Sequence, residues 1–146
     1  MNKIIRKIQY SEKVYRFDVE APLIAKSRKA GNFVIIRVDA NSERMPLTIA
    51  DADIEKGTIT LVVQKVGLSS TKLCNLNEGD EIHDVVGPLG NPTHIENFGT
   101  VLCAGGGVGV APMLPIIKAL KAAGNRVLSV IAGRSKDLVI MEDEVR

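Results

Sequence analysis

The sequence predicts a small antiparallel β barrel or sandwich that hands over to the opening βαβ unit of an α/β domain. Three observations predict it. Up to about residue 97, short segments rich in Val, Ile, Tyr and Phe alternate apolar with polar residues, and turn signals separate them. From residue 98 the alternation gives way to an apolar run, a helical stripe and a second apolar run. Between the first run and the stripe stands "AGGGVGVAP" (104–112), a glycine loop where a strand would turn into a helix. The division expected is 1–97 and 98–146.

Each element has its own signal. "NKIIRKIQYS" (2–11) and "VYRFDVEA" (14–21) carry a period of two, and "GNFVIIRVD" (31–39) follows a Gly-Asn turn. "MPLTIADAD" (45–53) holds a proline, which a sheet accepts at a strand's first residue or at an edge. "GTITLVVQKV" (57–66) is the strongest β-former in the chain. "DEIHDVVGPLG" (80–90) follows the turn "NEGD", and "GPLGNP" (87–92) reads as the turn that passes the chain between the two units. "KSRK" (26–29) reads as a solvated loop. "SSTKLCNL" (69–76) predicts a short helix capped by Ser69 or Ser70.

In the second unit, "VLCAG" (101–105) and "RVLSVIAG" (126–133) predict parallel strands buried on both faces. "PMLPIIKALKAAG" (112–124) predicts the helix between them, with Pro112 at its first residue and Gly124 at its end. "DLVIMEDEVR" (137–146) starts a further helical pattern. Two strands with a helix and a half cannot cover both faces of a parallel sheet. The α/β domain is therefore expected to be truncated, its remainder supplied by a longer parent protein, a partner chain or a rearranged homodimer.

Composition narrows the function classes. The apolar share of 45% with 25% charged residues fits a globular chain, and 3% aromatics without Trp leave an aliphatic core. A net charge of +2 over 146 residues argues against nucleic acid or a membrane surface as partner. No apolar run reaches the ~20 residues needed to cross a bilayer. Neither a secretory signal nor metal-ligand spacing around Cys74 and Cys103 is visible, which points to a cytoplasmic protein with reduced thiols.

Three places can carry chemistry. A glycine loop at a helix start exposes backbone N–H groups to phosphate oxygens, although the spacing of Gly105, Gly107 and Val110 misses the third glycine of G-x-G-x-x-G. The other reading is a tight strand-to-helix turn. "ERMPLTIAD" offers Arg44 for a diphosphate and Thr48 for a ring nitrogen of a planar heterocycle, or else a surface arginine beside an edge strand. "VGLSSTKL" (66–73) offers a second anion site or an ordinary helix cap. His83 and His94 stand singly, and no acid–base pair demands a catalytic role.

In register, "RMPLTI", "VGLSSTKL", "GDEIHDVVGPLGNP", "AGGGVGVAPMLPI" and "AGRSKDLVIMEDE" resemble the ferredoxin–NADP reductase superfamily. The resemblance covers essentially the whole chain. It is strongest to the branch holding dihydroorotate dehydrogenase electron-transfer subunits and the small subunits of NADH-dependent ferredoxin–NADP oxidoreductases and sulfide dehydrogenases. It implies an all-β FAD-binding barrel followed by the first part of an NAD(P)-binding α/β domain. It further implies an FAD-dependent NAD(P)H oxidoreductase module that passes electrons to an iron–sulfur centre, a ferredoxin-like acceptor or a larger dehydrogenase subunit.

Residue by residue, the resemblance implies that Thr48 stands near the flavin N5, with Pro46 and Leu47 along the ring. Val63, Gln64 and Val66 would border the ribityl chain, and Gly67, Ser69, Ser70 and Thr71 would meet the FAD diphosphate. Met45 occupies the family's usual arginine place, so Arg44 would reach the diphosphate from one residue earlier. Gly105, Gly106, Gly107, Val108, Gly109 and Pro112 would hold the dinucleotide's diphosphate. Arg134, with Lys136, would meet a 2′-phosphate or form a solvated basic turn. The family's 2Fe–2S cysteine cluster is absent from this sequence and is expected only in a longer parent protein. Two other readings are a plain β-barrel binding module and a non-catalytic subunit that docks on a larger flavoenzyme.

Overall fold

A computed structural model of the chain describes residues 2–146. The first unit contains six strands: β1 (Ile4–Gln9), β2 (Val14–Glu20), β3 (Phe33–Arg37), β4 (Met45–Asp53), β5 (Thr58–Gln64) and β6 (Asp84–Leu89). They form one antiparallel sheet in the order β1-β2-β5-β4-β3-β6. A bridge between Lys3 and Glu81, with Ile4 N–H donating to the Asp80 carbonyl at 2.8 Å, draws the two edge strands together into a barrel.

Alternation explains the inside of this barrel. Ile4, Phe17, Val34, Ile36, Ile49, Ile59, Leu61 and Val63 are fully buried in one cluster. Each such side chain stabilises the fold by about 1.5–3 kcal/mol of apolar transfer. Two short helices plug it: α1 (Pro22–Ser27), with proline at its start, and α2 (Leu68–Cys74). The first corrects the reading of 26–29 as a loop, since Lys26 and Ser27 are helical. Only six residues long, α1 has no side-chain cap and no periodic stripe long enough to announce it.

The second unit has parallel strands β7 (Thr100–Gly106) and β8 (Arg126–Ala132), joined through helix α3 (Val110–Ala122). A short helix α4 (Glu142–Val145) follows. Gly124 adopts φ +94 just beyond the C-cap of α3, as a helix-terminating glycine should. A 3₁₀ turn, Gly107–Gly109, comes between β7 and α3, so α3 starts earlier than expected and Pro112 is its third residue. The segment 87–89 belongs to β6 rather than to a turn, and the chain turns at Gly90, where φ is +84.

The two units share packing. Val14, Ala50 and Val62 point outward from the barrel and are buried with Cys103, Val110, Met113, Leu114 and Ile117. That is why β5 is buried on both faces: alternate residues enter the barrel or lie under α3. Strands β7 and β8, by contrast, are covered on one face only. Leu102, Leu128 and Val130 are 65%, 44% and 54% exposed, which corrects the expectation of strands buried on both sides. The connector 90–99, which includes the expected 97/98 division, is held by buried Asn125. Its Oδ1 accepts from Phe98 and Gly99 N–H at 2.7 and 3.0 Å, and its Nδ2 donates to the Glu96 and Leu120 carbonyls.

Candidate functional site

Strands β4 and β5 part company at one end. Their ladder begins at Ile49 opposite Leu61, and the earlier residues of β4 pair only with β3. Ile49 N–H donates to the Asn32 carbonyl at 3.1 Å. By antiparallel alternation, Pro46 therefore turns its main-chain nitrogen away from β3, where a missing N–H costs no ladder bond. The opening is a cleft of about 370 Å³. Met45, Pro46 and Leu47 form one wall, Val63 and Gln64 the other, and 66–70 the end.

Ser70 shapes that end. The N-cap of α2 is Gly67, neither of the two serines expected, and Ser70 is the third helical residue. Its buried hydroxyl oxygen accepts from Val66 and Gly67 N–H, both at 2.9 Å, and donates to the Gly67 carbonyl at 3.2 Å. Ser70 thus has its capacity spent inside the chain, and its part is to hold the 66–67 backbone in place. Ser69 and Thr71 make no side-chain hydrogen bond among the described residues, which leaves their hydroxyls available to a ligand.

The loop before β4 is braced to α2. Lys72 Nζ donates to Asp39 Oδ2 at 3.2 Å and to Ser42 Oγ at 3.3 Å. The Ser42 hydroxyl, the Asn41 N–H and Lys72 hold the Asp39 carboxyl down at about 2. Arg44 follows in this loop, exposed and without a side-chain partner among the described residues, but it does not line the cleft. Thr48 is half-buried beyond the cleft wall; its strand parity places it on the outer face with Ala50, toward α3.

A second cavity of about 430 Å³ lies at the carboxyl ends of β7 and β8. Gln64, Gly106, Gly107, Ala132, Gly133, Arg134 and Leu138 line it. In open α/β sheets this is the end at which ligands bind. The glycines divide their work. At Gly105 a Cβ would lie 3.2 Å from the Met113 sulfur and 3.3 Å from the Gly109 carbonyl, so this residue serves close packing of α3. Gly107 has φ +56, and a Cβ at Gly107 or Gly109 would meet open space. That is the form of a cradle into which phosphate oxygens can approach the backbone. Val108 is partly buried against the second core, and Pro112 is half-buried on α3.

The two openings adjoin, and Gln64 lines both. The structure therefore brings Pro46, Leu47, Val63, Gln64, Val66, Gly67, Ser69 and Ser70 to one cleft, and Gln64, Gly106, Gly107 and Arg134 to the next. Glu43 and Leu68 also line the first cleft, and Gly133 and Leu138 the second, unforeseen from the sequence. Leu68 carries no local sequence signal; only the fold shows it exposed at a helix start beside exposed Val66. Among the described residues no three His, Cys, Asp or Glu side chains converge as a metal site requires. None of the described helices is long and apolar enough to cross a membrane.

No protein-family model matches the chain. Over all 146 residues it is 47% identical to a dihydroorotate dehydrogenase B (NAD+) electron transfer subunit homolog of Thermotoga maritima. Over 145 residues it is 30% identical to the dihydroorotate dehydrogenase B (NAD+) electron transfer subunit of Fusobacterium nucleatum. Alignment covers 52% and 56% of those proteins, so the chain spans about half the length of these curated relatives. Among solved structures, an NADH-dependent reduced ferredoxin–NADP oxidoreductase matches with 47% identity and a TM-score of 0.96, over all of this chain and 53% of that one. Phthalate dioxygenase reductase shares the fold at 23% identity, with a TM-score of 0.81 over 99% of this chain and 46% of that one.

Proposed function

Because the chain belongs to the ferredoxin–NADP reductase superfamily, we propose that it is a flavoprotein electron-transfer module, with FAD in the β4–β5 cleft and NAD(P)H on the glycine loop. The observation that carries this reading is the adjacency of the two openings across Gln64. The cleft wall of Pro46 and Leu47 suits a flat heterocycle, and Val63, Gln64 and Val66 would border its ribityl chain. The free hydroxyls of Ser69, at the cleft's end, and of Thr71, two residues further along α2, suit its phosphates. Bound flavin would supply hydride acceptance and one-electron release.

The chain's own residues bind and orient. Ser70 fixes the backbone at 66–67, and the brace from Asp39 to Lys72 steadies the loop from which Arg44, outside the cleft lining, would reach the diphosphate. Thr48 offers a hydroxyl on the face turned toward α3. Gly106, Gly107 and Gly109 leave room for the dinucleotide's diphosphate at the start of α3, and Arg134, which lines the same opening as Gly106 and Gly107, would meet a 2′-phosphate. The onward acceptor is an iron–sulfur centre, a ferredoxin-like protein or a larger dehydrogenase subunit, in keeping with the subunit names of the relatives.

Adding FAD to the purified chain, removing excess and recording the visible spectrum tests the proposal. Retained flavin bands near one FAD per chain support it; a colourless protein sinks it. A second reading, a non-catalytic subunit that docks on a larger flavoenzyme, is favoured by the exposed face of Leu102, Leu128 and Val130. It predicts the colourless outcome.

A further inference from the structure

Strand β5 is buried along its length until its last residue, Gln64, which is exposed. Parity fixes where that residue points. Val63 enters the barrel core, whereas Val62 lies outward, buried with Val110 and Met113 of α3. Gln64 is the next outward position, ~6.6 Å further along the strand at ~3.3 Å per residue. There β5 packs beside the Gly107–Gly109 turn. The side chain consequently stands in the wall common to both openings.

The chemistry at this wall is sparse. Lys65, next in sequence, has its ammonium over the Tyr15 ring, 5.6 Å from the centroid. Ser70 is spent on the 66–67 backbone. Arg134 lies in the second opening alone. Gln64 makes no side-chain hydrogen bond among the described residues, so its amide keeps one carbonyl acceptor and two N–H donors.

We infer that Gln64 is a positioning residue for the nicotinamide ring, pairing its side-chain amide with the ring's carboxamide where the two openings meet. A primary amide is the complement of a carboxamide, since each presents a donor and an acceptor in one plane. Two parallel hydrogen bonds fix the plane of the ring as well as its position, which a hydroxyl cannot do. An uncharged partner also suits a ring that is cationic when oxidised and neutral when reduced, because it favours neither state through charge. This assignment rests on the flavin–dinucleotide reading above and adds the group that aligns one cofactor with the other.

Gln64→Leu keeps the size of the side chain and removes both hydrogen-bonding groups. With FAD-loaded protein, titration calorimetry compares NADH with ADP-ribose, which lacks the nicotinamide ring. On FAD-saturated protein the expected result is ADP-ribose affinity within twofold of the unmodified chain and NADH about tenfold weaker. The 3-acetylpyridine analogue, which has no amide N–H, should bind both proteins within a factor of about three. Unchanged NADH affinity in Gln64→Leu overturns the assignment, as does equal weakening of NADH and ADP-ribose. If the unmodified chain takes up no FAD, the underlying reading has failed first, and a separate measurement shows it.

Discussion

The Tyr10 hydroxyl donates to Glu144 Oε2 at 2.6 Å, tying the β1–β2 turn of the barrel to helix α4 at the far end of the chain. Arg16 Nη1 donates to the same hydroxyl at 3.3 Å, and Asp18 in turn pairs with Arg16 at 3.1 Å. Burial, and then the Glu144 carboxylate, push the Tyr10 phenol up to about 12 from its usual 10. The folded state therefore holds this proton more tightly than the unfolded state. The stability it contributes is complete below pH 10 and lost as pH rises from 10 through 12.

Tyr10→Phe should accordingly lower stability by about 1 kcal/mol at pH 7, the worth of a typical hydrogen bond. The difference in urea midpoint between the two proteins should then shrink between pH 10 and 12. A difference that is constant across that window would show that the phenol's proton is not linked to folding.

Asn125 predicts a larger loss. Four hydrogen bonds converge on its buried side chain, and three of the partners are main-chain groups of the connector 96–99. Asn125→Ala should destabilise by about 2–3 kcal/mol, because partners left buried without a bond lose solvation as well. Amide exchange at Phe98 and Gly99 should accelerate more than at Val19 in the barrel core. Uniform acceleration would mean the connector is held by something other than this amide.

Much of this architecture was legible because it depends on local alternation. The bounds of β4 match the apolar–polar pattern of 45–53, and α2 and α3 follow their stripes. What could not be read depends on neighbours distant in sequence. Helix α1 is stabilised by Ile24 and Ala25 entering the barrel core, a tertiary contact that six residues cannot signal. The run 101–105 looked doubly buried because apolar composition reports what a strand prefers rather than what covers it. Gly67 as the N-cap was hidden because Ser70 works from the third helical position. The position of Gln64 between two openings follows from how β4, β5 and the glycine turn meet, and no local pattern encodes that.

Thr48 separates rate from affinity. Its hydroxyl has no partner among the described residues and lies on the outer face of β4, toward α3, rather than in the cleft wall. Under the proposed function, Thr48→Ala should slow flavin reduction by NAD(P)H about tenfold or more while changing FAD affinity less than threefold. Stopped-flow bleaching of the flavin band and fluorescence titration with FAD measure the two quantities. Equal losses in both would remove Thr48 from the reacting end of the flavin.

Two glycines of one loop should fail for different reasons, and a double mutant tells them apart. At Gly105 the added methyl of an alanine meets the Met113 thioether at 3.2–3.3 Å, a flexible group, and the Gly109 carbonyl at 3.3 Å, a rigid one. At Gly107 the methyl meets nothing, but the backbone stands at φ +56, which costs an L-residue about 1 kcal/mol. Both single alanine variants should lose about 1 kcal/mol or somewhat more. Met113→Ala frees space beside Gly105 alone. Combined with Gly105→Ala, it should therefore give a loss smaller than the sum of the single losses, whereas combined with Gly107→Ala the losses should add. Denaturant midpoints of the six proteins, wild type included, decide it. Additivity at Gly105 would mean that α3 shifts as a unit to accept the methyl, and that this glycine is kept for the loop's backbone rather than for close packing of the helix.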